Sequence, residues 1–250
     1  MNIFGRLFTR KYSISDARIL EGMTDVHAHL LPGVDDGVSD IVSAKKAIAY
    51  LEQLGVLRIF LTPHIMSDLR NNTSEFLSAC FKDFSDRLFS SISVRLGAEY
   101  MLDASFRNHL ERGLLTYDGQ HVLLETSYIA PPLGLNELLK EVMKKGYIPI
   151  IAHPERYVYM NFSDYDKLKE MGCLFQLNLM SLGGCYGEHA LYFSALLLEK
   201  GLYTYLGSDF HCISPYKKML NRKILTNKQI EILNDLLCHN EILWNYDTIR

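Results

Sequence analysis

The segment Met23-Thr24-Asp25-Val26-His27-Ala28-His29 is a short apolar run that closes on two histidines one residue apart. Along an extended strand successive side chains alternate faces, so His27 and His29 share one. The same grammar, a strand-length apolar run followed by an ionisable residue, recurs down the chain. Seven such runs cover residues 23–26, 58–61, 94–98, 122–124, 148–152, 174–177 and 203–206. His64 follows the second, Glu99 the third, Glu125 the fourth, His153 the fifth, and Asp209 and His211 the seventh. Each residue alone is weak, because a single histidine or glutamate beside an apolar strand is more often a satisfied packing residue. The shared placement is the signal.

Segments of helical period separate the runs. Ser39 is placed to cap a helix whose apolar face is Ala44, Ala47, Ile48, Leu51 and Leu54, with Gly55 to end it. Asn72, with Glu75 three positions on, predicts a capping box for a helix reaching Leu88. Stretches 136–145, 163–172, 188–200 and 227–237 continue the rhythm. Strands alternating with helices define an α/β fold with a parallel sheet, and in a parallel barrel the strand C-terminal ends share one rim.

The 250 residues fit one such barrel, and no linker, repeat or low-complexity tract divides them. Residues 23–250 therefore read as a single domain behind an extension over 1–22. Within that extension Phe4, Leu7 and Phe8 alternate with Arg6, Arg10 and Lys11, a pattern suited to packing, with membrane contact at most indirect. A net charge of -3 gives no basic footprint for nucleic acid. Five scattered cysteines without Cys-x-x-Cys spacing, and no apolar leader or spanning stretch, place the chain in the cytoplasm. Self-association is left open.

Gathering His27, His29, His64, Glu99, Glu125, His153, Asp209 and His211 at one rim buries more charge than a protein tolerates without cations. Imidazole and carboxylate without thiolate suit Mn, Fe, Zn or related divalent ions. The set exceeds what one tetrahedral ion takes, so two or three ions sharing a carboxylate are expected.

Asp25-Val26-His27-Ala28-His29, Gly33-Val34-Asp35-Asp36-Gly37, Thr62-Pro63-His64, His153-Pro154-Glu155-Arg156-Tyr157 and Gly207-Ser208-Asp209-Phe210-His211 resemble the motifs of the PHP family, the polymerase and histidinol phosphatase superfamily. Within it, the Asp-Asp-Gly loop and the His-Pro-Glu-Arg-Tyr stretch are most similar to the bacterial capsule-type, metal-dependent protein tyrosine phosphatases. The resemblance implies a distorted TIM-like barrel of seven β/α units, the PHP fold. It also implies one ion on His27, His29, Glu99 and Asp209, a second on Glu99, Glu125 and His153, and a third on Asp36, His64 and His211. Asp36 is preferred to Asp35 because the family's ligand directly precedes the glycine. Manganese is the expected metal, with Fe, Zn or Mg as alternatives.

A water shared between two such ions has its pKa lowered from about 16 toward about 7, making it a nucleophile near neutral pH. Arg156, three residues past His153, is the expected clamp on the phosphoryl oxygens, with Asp209 and His211 the other catalytic residues. A second phosphate-binding cation is left open among Lys217, Lys218 and Arg222, and Cys212 beside His211 is a departure from the family pattern. No cysteine has an arginine six positions on, and neither a Gly-x-x-x-x-Gly-Lys loop nor a His-Glu-x-x-His helix is present. The resemblance thus implies hydrolysis of phosphotyrosine on a protein, an autophosphorylated bacterial tyrosine kinase of capsule or exopolysaccharide assembly. The alternatives are a phosphoesterase on a small molecule such as histidinol phosphate and a metal-stabilised adaptor without turnover.

Overall fold

A computed structural model of the chain describes residues 10–249. Its strands are β1 (Thr24–Ala28), β2 (Arg58–Leu61), β3 (His64–Ile65), β4 (Ser93–Leu96), β5 (Glu99–Met101), β6 (His121–Glu125), β7 (Ile148–Ala152), β8 (Leu174–Asn178) and β9 (Tyr205–Gly207). All are paired in parallel, in the orders β1-β2-β4 and β3-β5-β6-β7-β8-β9. Two staves are each split in two. Pro63, which cannot donate to a ladder, separates β2 from β3, and Gly97-Ala98 separates β4 from β5. Backbone bonds from Gly97 to Leu61 (2.8 Å) and from Glu99 to Pro63 (3.1 Å) carry the pairing across both breaks. On the far side Asp209 N donates to His27 O (2.8 Å) and His29 N to Phe210 O (2.9 Å), so β9 meets β1 and the seven staves close into a distorted barrel.

The interrupted staves correct the sequence reading of residues 94–98 as one strand and place His64 on a strand of its own. The helices are α1 (Ile41–Gln53), α2 (Ser74–Asp86), α3 (Phe106–Arg112), α4 (Leu135–Lys144), α5 (Phe162–Glu170), α6 (Gly187–Glu199), α7 (Ile213–Leu220) and α8 (Asn227–Ile249). Helices α3 and α7 are too short for periodicity to reveal, and α7 also carries Pro215. The cap of α1 is Asp40, whose carboxylate accepts from Val42 and Ser43 amides, while Ser39 donates to Asp40. The cap of α2 is Thr73; Asn72 instead turns inward and donates to the carbonyls of Val34 (2.9 Å) and His64 (2.7 Å).

Side-chain alternation divides the interior in two. Ile59, Leu61, Val122, Leu124, Ile151, Phe175 and Leu206 face the helices in the larger core. Val26, Phe60, Leu123, Ile150 and Tyr205 point into the bore and close on Tyr117, Leu243 and Trp244. Trp244 arrives from α8, where buried Asn240 donates to Thr24 O (2.7 Å) and Leu206 O (2.6 Å) across the β1/β9 seam. Residues 12–22 pack on this body: Tyr12 bridges to Leu225, and Ile14 and Ile19 are fully buried. The amphipathic pattern of Phe4, Arg6, Leu7 and Phe8 lies outside the described residues. Among the described residues no helix is long and apolar enough to cross a membrane.

Candidate metal centre

The bore is apolar near its start and ionisable at the strand exits. On β6 Leu123 points inward, so Glu125, two residues on, does too; on β8 the inward series is Leu174, Gln176, Asn178. In β1 the pairing slips between Asp25 and Ala28. Val26 lies in the inner cluster but Ala28 in the outer one, so the slip reverses the alternation and brings His27 and His29 inside. Two glycines make room for these rings. A Cβ on Gly37 would lie 2.1 Å from His29 O, and one on Gly207 would lie 2.6 Å from both His27 Cβ and Gln176 Nε2. His153 (φ 30°) and Asp209 (φ 49°) occupy left-handed backbone at their strand exits, a conformation non-glycine residues keep only under strong local constraint.

The ligand-type atoms converge. His27 Nδ1 donates to Gln176 Oε1 (2.8 Å) and His29 Nδ1 to Asp35 Oδ2 (2.9 Å). With both Nδ1 atoms committed, the two Nε2 atoms face each other 3.0 Å apart; burial opposes charge on either ring, but the Glu99 and Asp209 carboxylates outweigh it and raise both imidazoles, so this is where a cation would replace a proton. Glu99 Oε2 sits 3.2 Å from His27 Nε2, 3.3 Å from His29 Nε2 and 3.2 Å from His64 Nδ1, and its Oε1 is 3.0 Å from His153 Nε2. Glu125 lies 3.6 Å from His153 Nε2 and 3.7 Å from His64 Nδ1. Asp209 Oδ1 is 3.5 Å from His27 Nε2 and 3.4 Å from His29 Nε2. Asp36 Oδ1 lies 3.4 Å from His211 Nε2 and 3.6 Å from His64 Nε2. These atoms form overlapping groups: His27, Glu99 and His153; His27, His29 and Asp209; His64, Glu99 and Glu125; His29, Asp36, His64 and His211.

Burial works against every charge here. It disfavours ionised Glu99, yet the imidazoles of His27 and His64 outweigh it and hold that carboxyl well below its ordinary range. Burial and then the Glu99 charge push Glu125 up to about 8, so the two carboxylates do not both ionise readily on their own. Burial, reinforced by the Arg156 charge, lowers His153 to about 4 and keeps its ring neutral, the form that ligates metals. Divalent cations fit this donor set. They would take the place of a proton between His27 and His29 Nε2 and would let Glu99 and Glu125 carry charge together.

The structure brings every sequence-nominated residue to this one rim, with Asp36 the exposed member and Asp35 the buried partner of His29. Arg156 lines the adjoining cavity of about 340 Å³, and its Nη1 donates to Asp209 Oδ2 (3.0 Å). Cys212 lines the same cavity; Lys217 and Lys218 do not, and Arg222 donates to the Gly183 carbonyl. His109 lies beside Tyr100, His121 pairs with Asp118, His189 packs against Phe193, and His239 is exposed. Sequence reasoning missed Gln176, Asn178, Tyr128 and Tyr186. Asn178 donates to Asp209 Oδ2 (2.7 Å), Tyr186 to the same oxygen (3.2 Å), and Tyr128 to Glu125 Oε1 (2.6 Å). The polar pair at 176 and 178 on one face of an apolar strand was a readable signal; the tyrosines sit on loops and carried none.

A parallel barrel with this donor set at its C-terminal rim is the architecture of a metal-dependent hydrolase. Residues 23–242 match the model of a family described as capsular polysaccharide synthesis, CpsB/CapC, and the chain belongs to that family. It is 30% identical over 196 residues to the tyrosine-protein phosphatase YwqE of Bacillus subtilis (strain 168), covering 76% of this chain and 77% of that protein. It superposes with a TM-score of 0.75 and 27% identity on a chain from the crystal structures of YwqE from Bacillus subtilis and CpsB from Streptococcus pneumoniae, described as unique metal-dependent tyrosine phosphatases; 89% of this chain and 94% of that one are covered. A phosphotriesterase homology protein from Escherichia coli, complexed with phosphate, shares the fold at a TM-score of 0.53 and 14% identity, covering 84% and 95%.

Proposed function

We propose that this chain is a metal-dependent protein tyrosine phosphatase whose substrate is an autophosphorylated bacterial tyrosine kinase of capsule or exopolysaccharide assembly. The carrying observation is that the overlapping donor groups and Arg156 open on one cavity. His27, His29, Asp36, His64, Glu99, Glu125, His153, Asp209 and His211 would hold two or three divalent ions, manganese first among them, in a PHP-type arrangement within one domain over 23–250. Bound there, such ions supply a water activated near neutral pH and positive charge for the phosphoryl oxygens.

The chain's own residues do the rest. Arg156 presents a planar fork of N–H donors to the phosphoryl group, where negative charge must be balanced as the ester bond breaks. Asp209 links that fork to the ligand set: one oxygen accepts from Arg156, Asn178 and Tyr186, and the other faces His27 and His29. His211 is oriented by its Nδ1 donating to the Asp209 carbonyl (2.9 Å), which leaves Nε2 toward Asp36. A phenolate is a tolerable leaving group, so a strong general acid is dispensable. A cytoplasmic kinase tail fits a protein without a spanning helix among its described residues. The test is phosphate release by manganese-supplemented protein from aryl phosphates and phosphotyrosine peptides, alongside histidinol phosphate. No release from the first two, with metal bound normally, rejects the proposal; preference for the third reassigns the substrate.

A further inference from the structure

Arg156 is the only arginine or lysine among the described residues that lines the catalytic cavity. A free arginine side chain samples many rotamers, so a useful phosphate clamp needs its plane fixed beforehand. Two aromatic rings flank the guanidinium. Its central carbon lies 4.2 Å from the centre of the Tyr128 ring and 4.0 Å from that of Tyr186. The rings come from unrelated segments, Tyr128 from the loop after β6 and Tyr186 from the residue before α6.

Each hydroxyl reaches a carboxylate of the ligand set. Tyr128 donates to Glu125 Oε1 at 2.6 Å, and Tyr186 donates to Asp209 Oδ2 at 3.2 Å, the oxygen that also accepts from Arg156. Among the described residues Asp209 is the sole hydrogen-bond acceptor of this guanidinium, so the other donors of the fork remain for a ligand. We propose that Tyr128 and Tyr186 are positioning residues: their rings, rather than their hydroxyls, hold the Arg156 guanidinium between them. The proposal rests on the phosphatase reading for its substrate, but the clamp itself requires only a phosphate oxyanion.

Titration calorimetry of inorganic phosphate into the manganese-loaded protein reads the clamp without requiring turnover. Tyr128→Leu and Tyr186→Leu each weaken phosphate binding about tenfold, the scale of a desolvated cation–ring contact. Tyr128→Phe and Tyr186→Phe, which keep the rings, stay within about threefold of the parent. In an Arg156→Ala background the leucine substitutions cost nothing further, because no guanidinium is left to hold. Added guanidinium ion restores part of the phosphate affinity of Arg156→Ala, and fails to do so in Arg156→Ala/Tyr186→Leu. Manganese stoichiometry and thermal melting of each variant establish that the site is intact. Leucine variants that bind phosphate like the parent overturn the proposal, as does an equal loss in both backgrounds, which marks general damage to the site. Should the expected binding pattern appear in a protein that releases no phosphate from aryl esters, the phosphatase reading fails and the clamp stands.

Discussion

Leu123 and Glu125 sit two residues apart on one face of one strand, and they belong to opposite regimes. Below, Val26, Phe60, Leu123, Ile150 and Tyr205 meet Tyr117 and Trp244 in a predominantly apolar plug, where the Tyr117 hydroxyl donates to Val26 O (2.7 Å). Above, the buried carboxylates of Glu99, Glu125 and Asp209 face the five imidazoles of His27, His29, His64, His153 and His211. The plug is stable by itself, since removing carbon surface from water is favourable wherever packing is good. The upper layer is costly by itself, since each charge has lost its hydration and depends on neighbours of opposite sign. A barrel can therefore carry a strained, charged end because the other end needs nothing from it.

Breaking that division gives a graded series. The largest effect comes from chelation: turnover falls to background and returns with manganese, while melting drops by what about 4 kcal/mol of bound-ligand stabilisation would give at a thousandfold excess over Kd. Hydrolysis assays and melting curves with and without metal measure both. Phe60→Ala strikes the plug and costs about 3–5 kcal/mol of stability in denaturant titration, while the folded fraction keeps its manganese stoichiometry. Arg156→Ala strikes the upper layer and lowers kcat on an aryl phosphate by about 10²–10³ with melting of the loaded protein retained. Asp35→Asn weakens the carboxylate that orients His29 and also accepts from the His64 and Gly37 amides; manganese affinity falls by about 10–100-fold, and excess metal recovers the rate. Asn161→Ala, which removes a capping box from α5 on the outside, costs about 1 kcal/mol and leaves metal binding and turnover alone. A Phe60→Ala protein that folds normally but loses its metal would show that the two layers are one unit.

Much of this arrangement was readable from the chain because strand exits are punctuated: an apolar run ending in histidine or a carboxylate marks both the stave and its rim residue. What escaped notice has physical causes. His64 was nominated as a rim residue, but the two-residue strand that carries it is too short for alternation to register. Asn72 and Thr73 both suit a cap, and only the need of the buried Val34 and His64 carbonyls for a donor decides that Asn72 goes elsewhere. Asp35 and Asp36 are chemically equivalent neighbours, separated by which one the Gly37 turn buries against His29. Tyr128 and Tyr186 act through distances set by tertiary packing, which no spacing in the sequence encodes. The family resemblance brought the ligand groups into view; it did not reach the residues behind them.

The Asn240 clasp on Thr24, 216 positions away in sequence, gives the barrel's last seam a very high contact order. Loop-closure entropy must be met before that contact returns anything, so joining first stave to last is the slow event expected of such a topology. During synthesis His27 and His29 emerge long before Asp209, and the ribosome-bound chain holds only part of its donor set until the final stave docks. The donor set is thus a late-assembling object, whose members share one rim only after the last stave has closed on the first.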